Sequence, residues 1–115
     1  MTVTHTDVWI DVCPLDQLTP ERGVAALVAG EQIALFLLRD GMVLAVGNHD
    51  PFSGANVMSR GIVGSAGERL IVASPIYKHR FDLTTGTSLD DPEVALPIFM
   101  ARVTDGVVQV RSPAA

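Results

Sequence analysis

Asn48-His49-Asp50-Pro51-Phe52-Ser53-Gly54 and, further along the chain, Ser74-Pro75-Ile76-Tyr77-Lys78-His79-Arg80-Phe81-Asp82 are the two stretches on which the reading of this sequence turns. Proline and glycine interrupt any strand ladder, and an Asp-Pro pair favours a turn closed by the aspartate side chain. Both stretches are therefore expected to be long loops. Loops of that length in a compact domain built of short strands are usually where function resides.

Outward from the loops, the chain consists of short β-prone runs cut by turn residues, with almost no sustained helical period. Strands are expected at Trp9–Val12, Val24–Val28, Gln32–Leu38, Met42–Val46, Leu70–Ala73, Phe81–Leu83, Ile98–Val103 and Val107–Arg111. Asp40-Gly41 and Asp105-Gly106 supply the positive φ angles that tight hairpins need, and Thr84-Thr85-Gly86 reads as a further turn. Pro14 to Pro20 allows one short helical turn, and Gly47 to Gly61 reads as irregular. Asp90-Asp91-Pro92-Glu93 is expected to be a solvated acidic connection. The alanine-rich Val24 to Ala29 is the one segment where a helix competes, but flanking glycines and short length favour a strand. The spacing predicts an all-β, antiparallel sandwich or barrel with two long loops at one end.

The chain of 115 residues, 48% hydrophobic and 18% charged, fits one globular domain over 1–115 with an ordered core of about 8–111. Met1 to Asp7 and Ser112 to Ala115 are too polar or too small to pack. A formal net charge of -5 argues against a partner with a phosphate backbone or an anionic membrane surface, both of which call for a basic face. The greasiest run, Ile33 to Leu38, falls far short of the ~20 residues needed to span a bilayer. The first residues lack a basic and then apolar leader, so no signal peptide is expected. Cys13, the single cysteine, admits no intramolecular disulfide, which favours a reducing compartment. The cytoplasm is the expected location.

Taken together, the loops resemble the Rieske ferredoxin domain, whose first loop reads Cys-Pro-His-x-Gly or Cys-x-His and whose second reads Cys-Pro-x-His-Gly-Trp-x-Phe-Asp. The prolines, Gly54, and Phe81-Asp82 followed by Thr85-Gly86 fall in place, and the resemblance runs from Trp9 to Arg111. In a Rieske centre two cysteines hold one iron and two histidines the other. The resemblance puts Asp50 and Ser74 at the cysteine positions and Phe52 and Tyr77 at the histidine positions. A phenyl ring donates nothing, and a serine hydroxyl is barely acidic. No [2Fe–2S] cluster is therefore expected in this chain.

Within that superfamily the sequence is similar to the small subunit of assimilatory NAD(P)H-dependent nitrite reductase. The shared motifs are Asn48 to Phe52, Met58-Ser59-Arg60-Gly61, Ser74-Pro75 with Lys78, Arg80 and Phe81, and Ala101 to Gln109. The resemblance implies a large partner subunit that carries FAD, a [4Fe–4S] cluster and sirohaem and reduces nitrite to ammonium. It implies a non-catalytic role for this chain, in assembly or electron transfer.

Particular residues carry further expectations. Phe52 and Tyr77 are expected to fill the volume a cluster would occupy, with half-exposed loop aromatics as the plainer alternative. Asp50 is expected to cap its own loop. Arg60, Lys78 and Arg80 form a candidate docking patch for the large subunit, weighed against ordinary solvated charge. His49, Asp50 and His79 present a less favoured alternative, a mononuclear metal site, because adjacent side chains on extended backbone point to opposite faces. His5 falls in the loose N-terminal stretch, and Cys13 is expected to be a small buried hydrophobe. A stand-alone adaptor that kept the fold is the rival reading of function.

Overall fold

A computed structural model describes residues 9–111; the expectations for the two ends and for His5 lie outside them. Ten strands make up almost all of the regular structure: β1 (Trp9–Pro14), β2 (Gly23–Val28), β3 (Glu31–Leu37), β4 (Val43–Gly47), β5 (Ile62–Ala66), β6 (Arg69–Ala73), β7 (Arg80–Asp82), β8 (Ile98–Phe99), β9 (Ala101–Thr104) and β10 (Val107–Arg111). All strand pairings are antiparallel. They form three sheets, ordered β1-β10-β9, β2-β3-β4-β8 and β5-β6-β7. The only helical pieces among the described residues are 3₁₀ turns at Leu15–Gln17 and Met58–Arg60. The segment where helix competed is strand β2.

The side chains of β3 explain why the most apolar run of the sequence lies where it does. Ile33 and Leu35 face one core, with Val28, Val43, Val108 and Val110. Ala34 and Phe36, the intervening residues, face a second core with Val46, Met58, Val72, Phe81, Leu83 and Leu96. Strand β4 divides in the same way, Val43 and Ala45 to one side and Val46 to the other. A strand covered on both faces has no solvent side and therefore reads as a continuous apolar run.

Two parts of the architecture depart from expectation. The stretch Ile62–Ala66 is a strand, although its glycine and serine give it little β-propensity; it is held by pairing with β6, from Ile62 opposite Ala73 to Ala66 opposite Arg69. The run Ile98–Val103 is two strands, not one. β8 pairs with β4, and after Met100 the chain crosses so that β9 pairs with β10. The β9–β10 hairpin turns on Asp105 and Gly106, both with positive φ (52° and 75°), as the Asp-Gly pair predicts.

The second core lies beneath the two loops. Gly23 of β2 helps hold the first of them down: a Cβ there would come within 2.1 Å of the Ser59 carbonyl oxygen, so only glycine lets the 3₁₀ turn pack onto the middle sheet.

Candidate functional site

The first loop is a small closed turn. Its ends pair at His49 and Asn56, and the Ala55 and Asp50 carbonyls accept hydrogen bonds from the Asp50 and Gly54 amides, both at 2.8 Å. Buried Asn48 fastens its base: Nδ2 donates to the Asn56 carbonyl (3.2 Å) and Oδ1 accepts from the Ser59 amide (2.8 Å). The second loop closes through the Ser74 amide, which donates to the His79 carbonyl at 2.9 Å.

Asp50 and Ser74 join the two loops. Both are buried, Asp50 completely, and the Ser74 hydroxyl donates to Asp50 Oδ2 at 2.5 Å. The Ser53 hydroxyl donates to the same oxygen at 2.8 Å, and the Phe52 amide donates to Oδ1 at 3.0 Å. The cap expected of an Asp-Pro turn is therefore present, with a cross-loop bond added to it. Burial alone would raise the Asp50 carboxyl; the Ser74 and Ser53 hydroxyls and the Phe52 and Ser53 amides outweigh it and hold the group below the ordinary carboxylate range. Such charge-assisted bonds are short and about twice as strong as neutral ones.

A stack of rings lies beside this bond. Phe52, half-buried on the second core, stacks on His79 with centroids 3.7 Å apart and planes at 12°. It also meets Phe81, fully buried, at 5.8 Å. Tyr77 approaches His79 edge-on at 6.2 Å but is 63% exposed. Of the two rings expected to fill the volume of a cluster, Phe52 packs half-buried against the second core, whereas Tyr77 is turned to solvent, contrary to that expectation. The inward plate against Phe52 is His79, whose Nδ1 is buried with no hydrogen-bond partner. In the Cys-Pro-x-His-Gly-Trp-x-Phe-Asp motif the residue in register with His79 is tryptophan, a signal for an aromatic slot that the sequence reading did not use.

The basic residues also separate. Arg80 is committed internally: its amide donates to Asp90 Oδ2 at 2.7 Å, and Nη2 pairs with Asp90 Oδ1 at 3.2 Å. Of the three cations of the expected docking patch, Arg80 is the one paired with a carboxylate of its own chain. The acidic loop is largely solvated, as expected; within it Asp90 is tied to β7 and the Ser88 hydroxyl caps the Asp90 and Asp91 amides. Arg60 and Lys78 are exposed. Lys78 has φ of 59°, a left-handed conformation that costs a residue with a side chain about 1 kcal/mol. In the Rieske motif the matching residue is glycine.

His49, Asp50 and His79 do not converge as metal ligands. His49 is exposed and hydrogen bonded to Asn56 Oδ1 at 3.0 Å, both Asp50 oxygens are engaged, and His79 lies against Phe52. No group of three ligating side chains that could hold a metal ion occurs among the described residues. Nor do the aligned positions suit a Rieske cluster, because two of them bond to each other, one is a phenyl ring and one is a phenol turned to solvent. One polar residue was missed from sequence: Asp82, nearly buried, accepts from the Thr84 hydroxyl (2.6 Å) and the Thr84 amide (2.8 Å). Burial would raise its carboxyl, but these bonds, the Thr85 amide and nearby Arg69 hold it below the ordinary range. Cys13 is half-buried against the first core, and that burial pushes its thiol up.

Among the described residues no helix is long and apolar enough to cross a membrane.

The fold and the loops have counterparts among known proteins. Residues 8–111 match the model of the Rieske-like [2Fe-2S] domain family. The chain is 42% identical over 104 residues to the nitrite reductase (NADH) small subunit of Escherichia coli K12, covering 90% of this chain and 96% of that one. A Mycobacterium tuberculosis crystal structure, described as an NADH-dependent nitrite reductase small subunit, superposes with a TM-score of 0.92 at 54% identity over 96% of this chain and 99% of that one. A further 41% identity over 102 residues, 89% of this chain, falls within a Klebsiella oxytoca protein named the nitrite reductase [NAD(P)H] large subunit, of which it covers 11%. With the two loops joined through Asp50 and Ser74 over a shared core, and with relatives this close along nearly its whole length, the chain belongs to the Rieske-like [2Fe-2S] domain family, in its branch of nitrite reductase small subunits.

Proposed function

We propose that this chain is the accessory small subunit of a cytoplasmic NAD(P)H-dependent nitrite reductase, that it binds the large subunit, and that it carries neither a cluster nor a catalytic group of its own. The observation that supports this most is the near full-length likeness to small subunits, combined with loops that are tied by side chains where a Rieske domain uses metal. The Klebsiella oxytoca protein adds support: a segment like this chain is part of a polypeptide named as the large subunit, and covalent linkage of that kind suits modules that act together. FAD, [4Fe–4S] and sirohaem are then assigned to the large subunit, as the resemblance implies. A cluster-free domain cannot relay electrons through iron, so its contribution is to shape or stabilise the partner.

The experiment is nitrite reduction to ammonium by the purified large subunit, with NADH or NADPH, as this chain is titrated in. Activity or its half-life should rise and level off at a fixed ratio, while this chain alone reduces nothing. A large subunit that is equally active and long-lived without this chain, and forms no complex with it, would overturn the reading.

A further inference from the structure

The second loop presents an unusual surface. Tyr77 is 63% exposed and Ile76 beside it 44%. Ile62, 68% exposed, stands opposite Ala73, at the end of β6 from which that loop departs. Large apolar groups gathered on an exposed tip are a recognised mark of an interaction site.

Tyr77 is also braced. Its ring sits edge-on against His79, His79 stacks on Phe52, and Phe52 leans on buried Phe81. Four rings thus run from solvent to the core and support the outermost one. An exposed aromatic held in place loses little freedom on binding, which is one reason tyrosine is enriched among residues that dominate interfaces.

Charge marks the same tip. Of the eight lysines and arginines, Arg39, Arg69 and Arg80 pair with carboxylates, Arg102 and Arg111 have other contacts, and Arg22, just ahead of β2, is exposed with no carboxylate partner among the described residues. Arg60 and Lys78 lie at the tip, exposed and without a carboxylate partner among the described residues. Lys78 holds a left-handed backbone, with φ of 59°. Strain retained at an exposed loop residue is a feature of binding sites.

We propose that this tip docks on the large subunit, with Tyr77 as the central anchor entering an apolar recess, Ile76 and Ile62 flanking it, and Arg60 and Lys78 meeting carboxylates on the rim. The inference rests on the reading of the chain as a small subunit, and it moves the weight of binding from the cations to one aromatic ring. The shallow depression along β2 beside Leu27 is the alternative apolar surface. It is lined by Ala25, Ala26, Leu27 and Gln32, with no aromatic stack and no cation among them, so it serves as a control.

The test is binding of this chain to the purified large subunit, alongside the melting temperature of each variant. Tyr77→Ala should raise Kd by about 30-fold or more with Tm within about 2 °C of wild type. Tyr77→Phe should stay within about threefold, Lys78→Glu should slow association and weaken its salt dependence, and Leu27→Ser should bind like wild type. Wild-type affinity in Tyr77→Ala overturns the docking surface and leaves the subunit reading standing. Weak binding by Tyr77→Ala accompanied by a Tm drop of more than about 5 °C also overturns it, because the ring would then serve the fold. Failure of the wild-type chain to bind an active large subunit overturns the subunit reading itself.

Discussion

The Ser74 hydroxyl donates to the buried Asp50 carboxylate at 2.5 Å, across 24 residues of chain. Where a Rieske domain ties its two loops through iron, this one ties them through a hydrogen bond between residues at the positions aligned with cysteine. The bond keeps the two loops together.

Removing that tie should cost stability on a scale its burial sets. Asp50→Ala strands the Ser74 and Ser53 hydroxyls and the Phe52 and Ser53 amides, and an unsatisfied buried group costs about 1–3 kcal/mol. We expect a loss of about 2–4 kcal/mol in urea unfolding, and about 1–2 kcal/mol for Ser74→Ala. In a double-mutant cycle the two losses should be strongly non-additive, since both delete one bond.

The same carboxylate sets an acid limit. The Asp50 and Asp82 carboxyls both lie below their ordinary range in the folded chain. The unfolded chain therefore takes up protons first as pH falls. The stabilisation is complete above the unfolded value, near pH 4, and is lost as pH drops through the folded values. Tm should be level from about pH 8 to 5 and fall below about pH 4, less steeply in Asp50→Asn.

Phe52 and Tyr77 should behave oppositely despite their equivalent alignment. Phe52→Ala opens a gap over the second core and removes the stack on His79, for an expected loss of about 2–3 kcal/mol by thermal or chemical melting. Tyr77→Ala, at an exposed ring, should change stability by less than about 0.5 kcal/mol.

Gly23→Ala should disturb the first loop from a distance. Its new methyl meets the Ser59 carbonyl oxygen and the Phe36 ring, so the Met58–Arg60 turn must shift off the middle sheet. We expect at least about 2 kcal/mol of destabilisation, with amide exchange near Asn48 and Ser59 accelerated first.

Much of this was legible in the residues. Asp105-Gly106 marked its hairpin, Ile33 to Leu38 marked the central strand, and Asp50-Pro51 marked a capped turn. What stayed hidden depended on contacts distant in sequence. Ile62–Ala66 is a strand only because β6 pairs with it, and Ile98–Val103 breaks because two sheets compete for it. In the candidate site, Asp50 gave its local cap but not its bond to Ser74. Tyr77 was misplaced, and the Arg80–Asp90 pair went unseen, for a related reason: which ring turns inward, and which cation finds its own carboxylate, are settled by loop geometry and not by residue type. His79 was weighed as a ligand, and it is a stacking plate.

The central claim, that side chains and not iron join these loops, is tested most directly by iron and sulfide analysis of the purified protein after anaerobic reconstitution, with an EPR spectrum of the dithionite-reduced sample. A colourless protein with iron well below one atom per chain and no dinuclear signal is the expected result. About two irons and two sulfides per chain, with a red-brown colour and a reduced-state signal, would contradict it.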